Sequence, residues 1–144
     1  MGNRAVIAFE EDSEIQPYGV YLHWDGEPES VYTFLAHLNE RMKDRPDDTH
    51  YAAARLVEII GRFRGGNTGL GLTGFDDADR KLIQERGNCG FHGSSISQGD
   101  NGIYIIGGRF GKYIVIDRFD RRGAVRSARR QVSLCGRSRR SNLA

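Results

Sequence analysis

The sequence predicts a single α+β domain over residues 1–120, followed by a basic tail over 121–144. Three observations predict it. Short β-branched and aromatic runs stand at both ends of the domain, at Arg4–Phe9, Ile103–Ile106 and Tyr113–Ile116. Between them lie two apolar stripes of helical period. Strands and helices come in blocks and do not alternate, so the expected sheet is mixed or antiparallel, of about five strands, with a helical hairpin over 28–64 covering one face.

The elements follow in chain order. Arg4–Phe9 reads as a first strand. Glu10, Glu11, Asp12 and Glu14 form an acidic, solvated connection, closed by Pro17. The second strand runs through Gly19-Val-Tyr-Leu-His-Trp-Asp-Gly26. A period of two sets Val20, Leu22 and Trp24 on one face, and Tyr21, His23 and Asp25 on the other. Trp24, the single Trp, is expected in the core. Gly26-Glu27-Pro28-Glu29 starts a helix, with Pro at its first turn and acids that suit its dipole. Its stripe is Val31, Phe34, Leu35, Leu38 and Met42. The stretch 44–48, with Pro46, breaks it. Asp48 or Thr49 caps the next helix, whose stripe is Ala52, Leu56, Ile59, Ile60 and Phe63, and Gly65-Gly66 ends it. A glycine-thinned third strand follows at Gly69–Phe75. Asp76 or Asp77 then caps a short helix with Ala78, Leu82 and Ile83 inward. Gly87–Asn101 is a long irregular stretch, and loops of that length often carry function. Asp100-Asn-Gly102 is a turn with Asn and Gly at positive φ. The last two strands form a hairpin through Gly107–Gly111.

Charge divides the chain. Residues 1–120 hold all 19 acidic residues and 13 of the 21 basic ones, a net of −6, whereas 121–144 hold eight Arg and no acid. No apolar run reaches the ~20 residues a membrane-spanning helix needs. The start of the chain lacks a signal peptide's apolar region, and Val6 stands where a myristoylation motif wants Ser or Thr. The expected location is a cytoplasm, where Cys89 and Cys135 are free thiols.

Three blocks, Met1-Gly-Asn-Arg-Ala-Val-Ile7, Gly19–Gly26 with Glu29-Ser-Val31 and Phe34-Leu35, and Gly99-Asp-Asn-Gly-Ile-Tyr104, resemble a family of small accessory proteins carried by bacteriophages and other mobile elements. The resemblance covers roughly 1–75 and 99–118. It implies a similar layout of two strands, two helices and a glycine-rich return to the sheet. It also implies a genomic setting in which such genes often encode inhibitors of host defence, CRISPR inhibitors among them. It supplies no catalytic residue.

The candidate binding residues are Tyr21, His23, Asp25 and Glu27, with Glu10, Glu11, Asp12 and Glu14. Together they form an expected acidic surface able to mimic nucleic-acid charge before a basic groove. Tyr21, His23 and Asp25 read either as a recognition patch or as the solvent face of a half-buried strand. The favoured function is a non-enzymatic inhibitor of a host defence protein or ribonucleoprotein complex. The first alternative is nucleic-acid binding through Arg121, Arg122, Arg126, Arg129, Arg130, Arg137, Arg139 and Arg140, which match the phosphate-neutralising pattern. The second is a small enzyme centred on His23 and the 87–101 loop, in which Ser94-Ser95 lie near His92. No metal or cofactor is expected. Cys89-Gly-Phe-His92 is half a zinc site without a second pair, Asp76-Asp77-Asp79 is explained by helix capping, and Gly65–Gly69 follows a helix instead of opening one, unlike a phosphate loop.

Overall fold

The central strand, β1 (Ala5–Glu11), is buried at every position from Ala5 to Glu10. Its uninterrupted Ala-Val-Ile-Ala-Phe run suits a strand covered on both faces. In the computed structural model, which describes residues 2–66, 69–88, 96, 100–120 and 123–124, β1 pairs antiparallel with β2 (Glu14–Leu22) and parallel with β4 (Ile103–Arg109). The sheet is therefore mixed. Its order is β3-β2-β1-β4-β5-β6, with β3 at Leu70–Gly74, β5 at Lys112–Asp120 and a two-residue β6 at Gly123–Ala124. β6 lies beyond residue 120, so the sheet reaches past the boundary expected from composition.

Helices α1 (Pro28–Arg41) and α2 (Thr49–Arg62) cover one face, as the two stripes predict. Phe34, Leu38, Leu56 and Ile60 pack on Ile7, Phe9, Val20, Leu22, Tyr104 and Ile106. Asp48 caps α2 by accepting from the Tyr51 N–H at 3.3 Å. The second face is covered as well. Helix α3 (Asp77–Gln84) sets Leu82 and Ile83 against Val6, Ala8, Ile15, Ile103, Ile105 and Phe119. Ala78, expected inward, is exposed, and Asp79 is buried in its place. The reason is a capping box, in which Asp76 and Asp79 each accept the other's backbone N–H, at 2.8 and 3.1 Å.

The turns differ from expectation in instructive ways. The acidic connection is only Asp12 and Ser13, both at positive φ (55° and 67°), as a two-residue type I′ hairpin requires. Pro17 lies within β2, where the β1 pairing shifts register, a position that tolerates its missing N–H. The β4–β5 link is also two residues, Phe110 and Gly111, at φ 56° and 78°. Gly107 and Gly108 continue the strand: a Cβ at Gly107 would come within 2.4 Å of Ile116 Cδ1.

Two buried tyrosines, Tyr104 and Tyr113, and a half-buried one, Tyr18, make stability sensitive to alkali. Burial pushes the phenols of Tyr18, Tyr104 and Tyr113 upward from their ordinary value. A raised folded-state pKa means that the folded chain holds its protons where the unfolded chain releases them. The contribution is fully present below the ordinary tyrosine value near 10 and is lost as pH rises above it. Melting temperature should hold from pH 7 to 9 and fall steadily above about 10. Tyr104→Phe should flatten that fall, at a cost of ~1 kcal/mol for the lost bond from Tyr104 Oη to the Gly26 carbonyl (2.7 Å).

Candidate binding surface

The N-terminal end of β1 meets the C-terminal ends of β2 and β5 and the N-terminal ends of β3 and β4. Segments far apart in the chain are joined there by polar side chains. Asn3 Nδ2 donates to Glu27 Oε1 at 2.6 Å, and Asn101 Nδ2 donates to Asn3 Oδ1 at 2.6 Å. Arg4 pairs with Asp100 at 3.2 Å, and Arg118 Nε donates to the Asn101 carbonyl at 2.9 Å. Hydrogen bonding from Arg4 holds the Asp100 carboxyl below the usual range. Each tie fixes two segments at once, which makes the rim a rigid polar network.

Aromatic groups stand on this rim. Tyr21 Oη lies 3.3 Å from His23 Nδ1, and the His23 ring meets Trp24 edge-on, with centroids 4.7 Å apart. Trp24 is 44% exposed, which corrects its expected place in the core. Alternation fails because β2 ends at Leu22 and the chain turns at Asp25 (φ 62°). Gly26 then packs so closely that a Cβ would lie 2.6 Å from the Asn3 carbonyl oxygen. Trp24 is nonetheless held in place, since a Cβ on Gly69 would come within 2.7 Å of its ring.

The eight predicted binding residues do not form one face. Tyr21 and His23 adjoin. Asp25 leaves them to pair with Arg64 at 3.6 Å. Glu27 is half-buried and committed to Asn3 and to Ser30 Oγ, the latter at 2.5 Å. Glu10 is 6% exposed and sits between Arg109 and Arg86, at 2.8 and 3.9 Å. Glu11, Asp12 and Glu14 lie at the other end of β2. Glu14 and Tyr21 lie seven positions apart along β2, on the order of 20 Å at the strand rise. The expected continuous acidic surface is thus split between two ends of the sheet, with Glu10 inside.

Arg4, Asp100, Asn101 and Arg118, none of them among the expected binding residues, build the rim. Arg4, Asp100 and Asn101 stand in the three blocks quoted above, but nothing in the sequence shows that those blocks meet. A cleft of about 350 Å³ lies beside the rim, between Pro28, Tyr32, Tyr104 and Arg118. The Arg118 guanidinium carbon sits 4.9 Å from the Tyr104 ring centroid, and Tyr32 forms an exposed lip. Cys89, His92, Ser94, Ser95 and the eight tail arginines fall outside the described residues. Among the described residues no three His, Cys, Asp or Glu side chains gather as a metal site, and no helix is long and apolar enough to cross a membrane.

Compared with protein-family models, curated proteins and solved structures, the chain matches none.

Proposed function

We propose that the chain is a non-enzymatic binding protein, of the accessory kind carried by mobile elements, that inhibits a host defence complex by occupying one of its surfaces. The resemblance of the three sequence blocks supports the setting. One observation supports the mode of action: an exposed Trp24 packs edge-on against His23, whose carbonyl accepts the Asn3 N–H, beside a polar rim that ties four separate segments together. Tryptophan set among ordered polar groups is the residue type that most often dominates binding energy. Its fixed orientation lowers the entropy lost when a partner docks. His23 serves this surface by packing against Trp24. The cleft beside Tyr32 extends the same surface toward α1.

Trp24→Ala tests the reading. It should lower affinity for the host partner at least 100-fold and abolish inhibition in cells, while the melting temperature changes little, because the ring is half-exposed. Truncation after Ala124 removes most of the tail and keeps β6, and it should leave inhibition in place. If inhibition survives Trp24→Ala but falls with the tail, together with salt-sensitive nucleic-acid binding, then the arginines carry the function. If His23→Ala alone costs ~10³-fold with Trp24→Ala harmless, a catalytic histidine replaces the binding surface.

A further inference from the structure

The sheet has two outer edges, and they are treated differently. On the β5 side the edge is broken by a register shift after Ile105, carries Lys112, Asp117 and Arg118, and is paired at its end by β6. The part of β2 that extends past β3 is covered by α3: Arg80 Nε donates to the Ile15 carbonyl at 2.9 Å, and Gln84 Oε1 accepts the Ile15 N–H at 3.2 Å. Charges, bulges and covering groups are the usual protections of an edge strand. Among the described residues β3 has none of them. Its Leu-Gly-Leu-Thr-Gly sequence carries no charge, and Leu72 is 77% exposed.

The open side of β3 has a defined hydrogen-bonding phase. The His23 N–H donates to the Gly69 carbonyl, and the Phe75 N–H donates to the Pro17 carbonyl, both at 2.9 Å. In an antiparallel ladder the bonded residues alternate. Residues 69, 71, 73 and 75 therefore face β2, while Leu70, Leu72 and Gly74 turn their N–H and C=O groups outward. Among the described residues no strand lies beyond them.

We propose that this edge pairs antiparallel with the same edge of a second copy, about a two-fold axis through Leu72. That register sets Leu72 opposite Leu72, Leu70 opposite Gly74 and Gly71 opposite Thr73. It pairs every outward backbone group, about six hydrogen bonds in all by the antiparallel pattern. It also places Leu70 and Thr73 each over a glycine of the other copy. A Cβ at Gly71 or Gly74 would meet nothing within 4 Å, so that space is free to receive Thr73 and Leu70 of the second copy. An uncharged strand is suited to face itself, since no like charges meet at the axis. Pairing uses up the one unprotected edge among the described residues. The assembly therefore closes as a dimer and does not grow into a filament. This inference is independent of the role given to Trp24.

Sedimentation equilibrium on the full chain tests it. Average mass should rise from the 16.2 kDa monomer toward twice that value between about 1 µM and several hundred µM, as expected for one short strand pair. Leu72→Lys puts two ammonium groups at the axis and should hold the chain monomeric with an unchanged melting curve. Leu72→Cys, in a Cys89→Ser/Cys135→Ser background, should cross-link on mild oxidation. Facing Cα atoms about 5.5 Å apart lie within disulfide reach. A monomer at the highest concentration would overturn the proposal. So would a Leu72→Lys dimer, or a folded Leu72→Cys variant that fails to cross-link. A monomer that loses its host partner through Leu72→Lys would assign the edge to a strand of that partner instead.

Discussion

Gly102→Ala should lower stability by about 3 kcal/mol and the melting temperature by roughly 10 °C. Gly102 sits at φ 78°, between the Asp100-Asn101 turn and β4. A side chain there pays the left-handed backbone penalty of about 1–2 kcal/mol. It also meets backbone: the new Cβ would lie 2.4 Å from the Phe119 carbonyl oxygen. That carbonyl belongs to β5 and cannot swing aside as a side-chain tip can. The Gly102 carbonyl accepts the Val6 N–H at 3.0 Å, so any shift also disturbs the β1 ladder. Gly71→Ala is the control. Its Cβ would touch nothing and its φ is not positive, so stability should hold within ~0.5 kcal/mol. Thermal melts of the two variants check the difference, and equal midpoints would contradict it.

Glu10→Ala should cost about 2–3 kcal/mol, whereas Glu11→Ala and Glu14→Ala should stay within ~0.5 kcal/mol. Glu10 lies between Arg109 and Arg86, and Arg86 Nε also donates to Asp117 Oδ2 at 3.1 Å. The four charges alternate in sign across β1, β4, the end of α3 and β5. Removing Glu10 leaves two guanidinium groups facing each other without their shared anion. Removing one partner of a buried pair costs ~3–5 kcal/mol. The lower figure allows for the Arg86 and Arg109 side chains, which are 24% and 42% exposed. Urea unfolding of the three variants measures the contrast. A double-mutant cycle with Arg109→Ala should recover part of the loss, because the second change removes the guanidinium that Glu10 had paired at 2.8 Å, while Arg86 keeps Asp117.

The apolar run of β1 and the two helical stripes were legible because burial repeats along them at a fixed period. Glu10 was legible in principle, since a period of two sets it on the face of Val6 and Ala8. Its charge argued for solvent, and only the facing Arg109 and Arg86, distant in sequence, reverse that. Trp24 misled for a different reason. Alternation holds only while the strand lasts, and the close approach of Gly26 to Asn3 ends β2 at Leu22. The cover over the second face rests on Leu82 and Ile83, too few to reveal which face α3 would take. The rim was the least legible part. Its bonds join residues 3, 27, 100, 101 and 118, and no local pattern encodes contacts of that separation. β3 was found as a glycine-thinned strand, but its place at an open edge follows from strand order, which the sequence leaves undetermined.

The affinity of Trp24→Ala for the partner captured from host lysate by the wild-type chain tests the proposed function most directly. It should be read beside the wild type, with both melting curves in hand. The binding account predicts at least a 100-fold loss at an unchanged melting temperature. Unchanged affinity in a folded Trp24→Ala protein would contradict it.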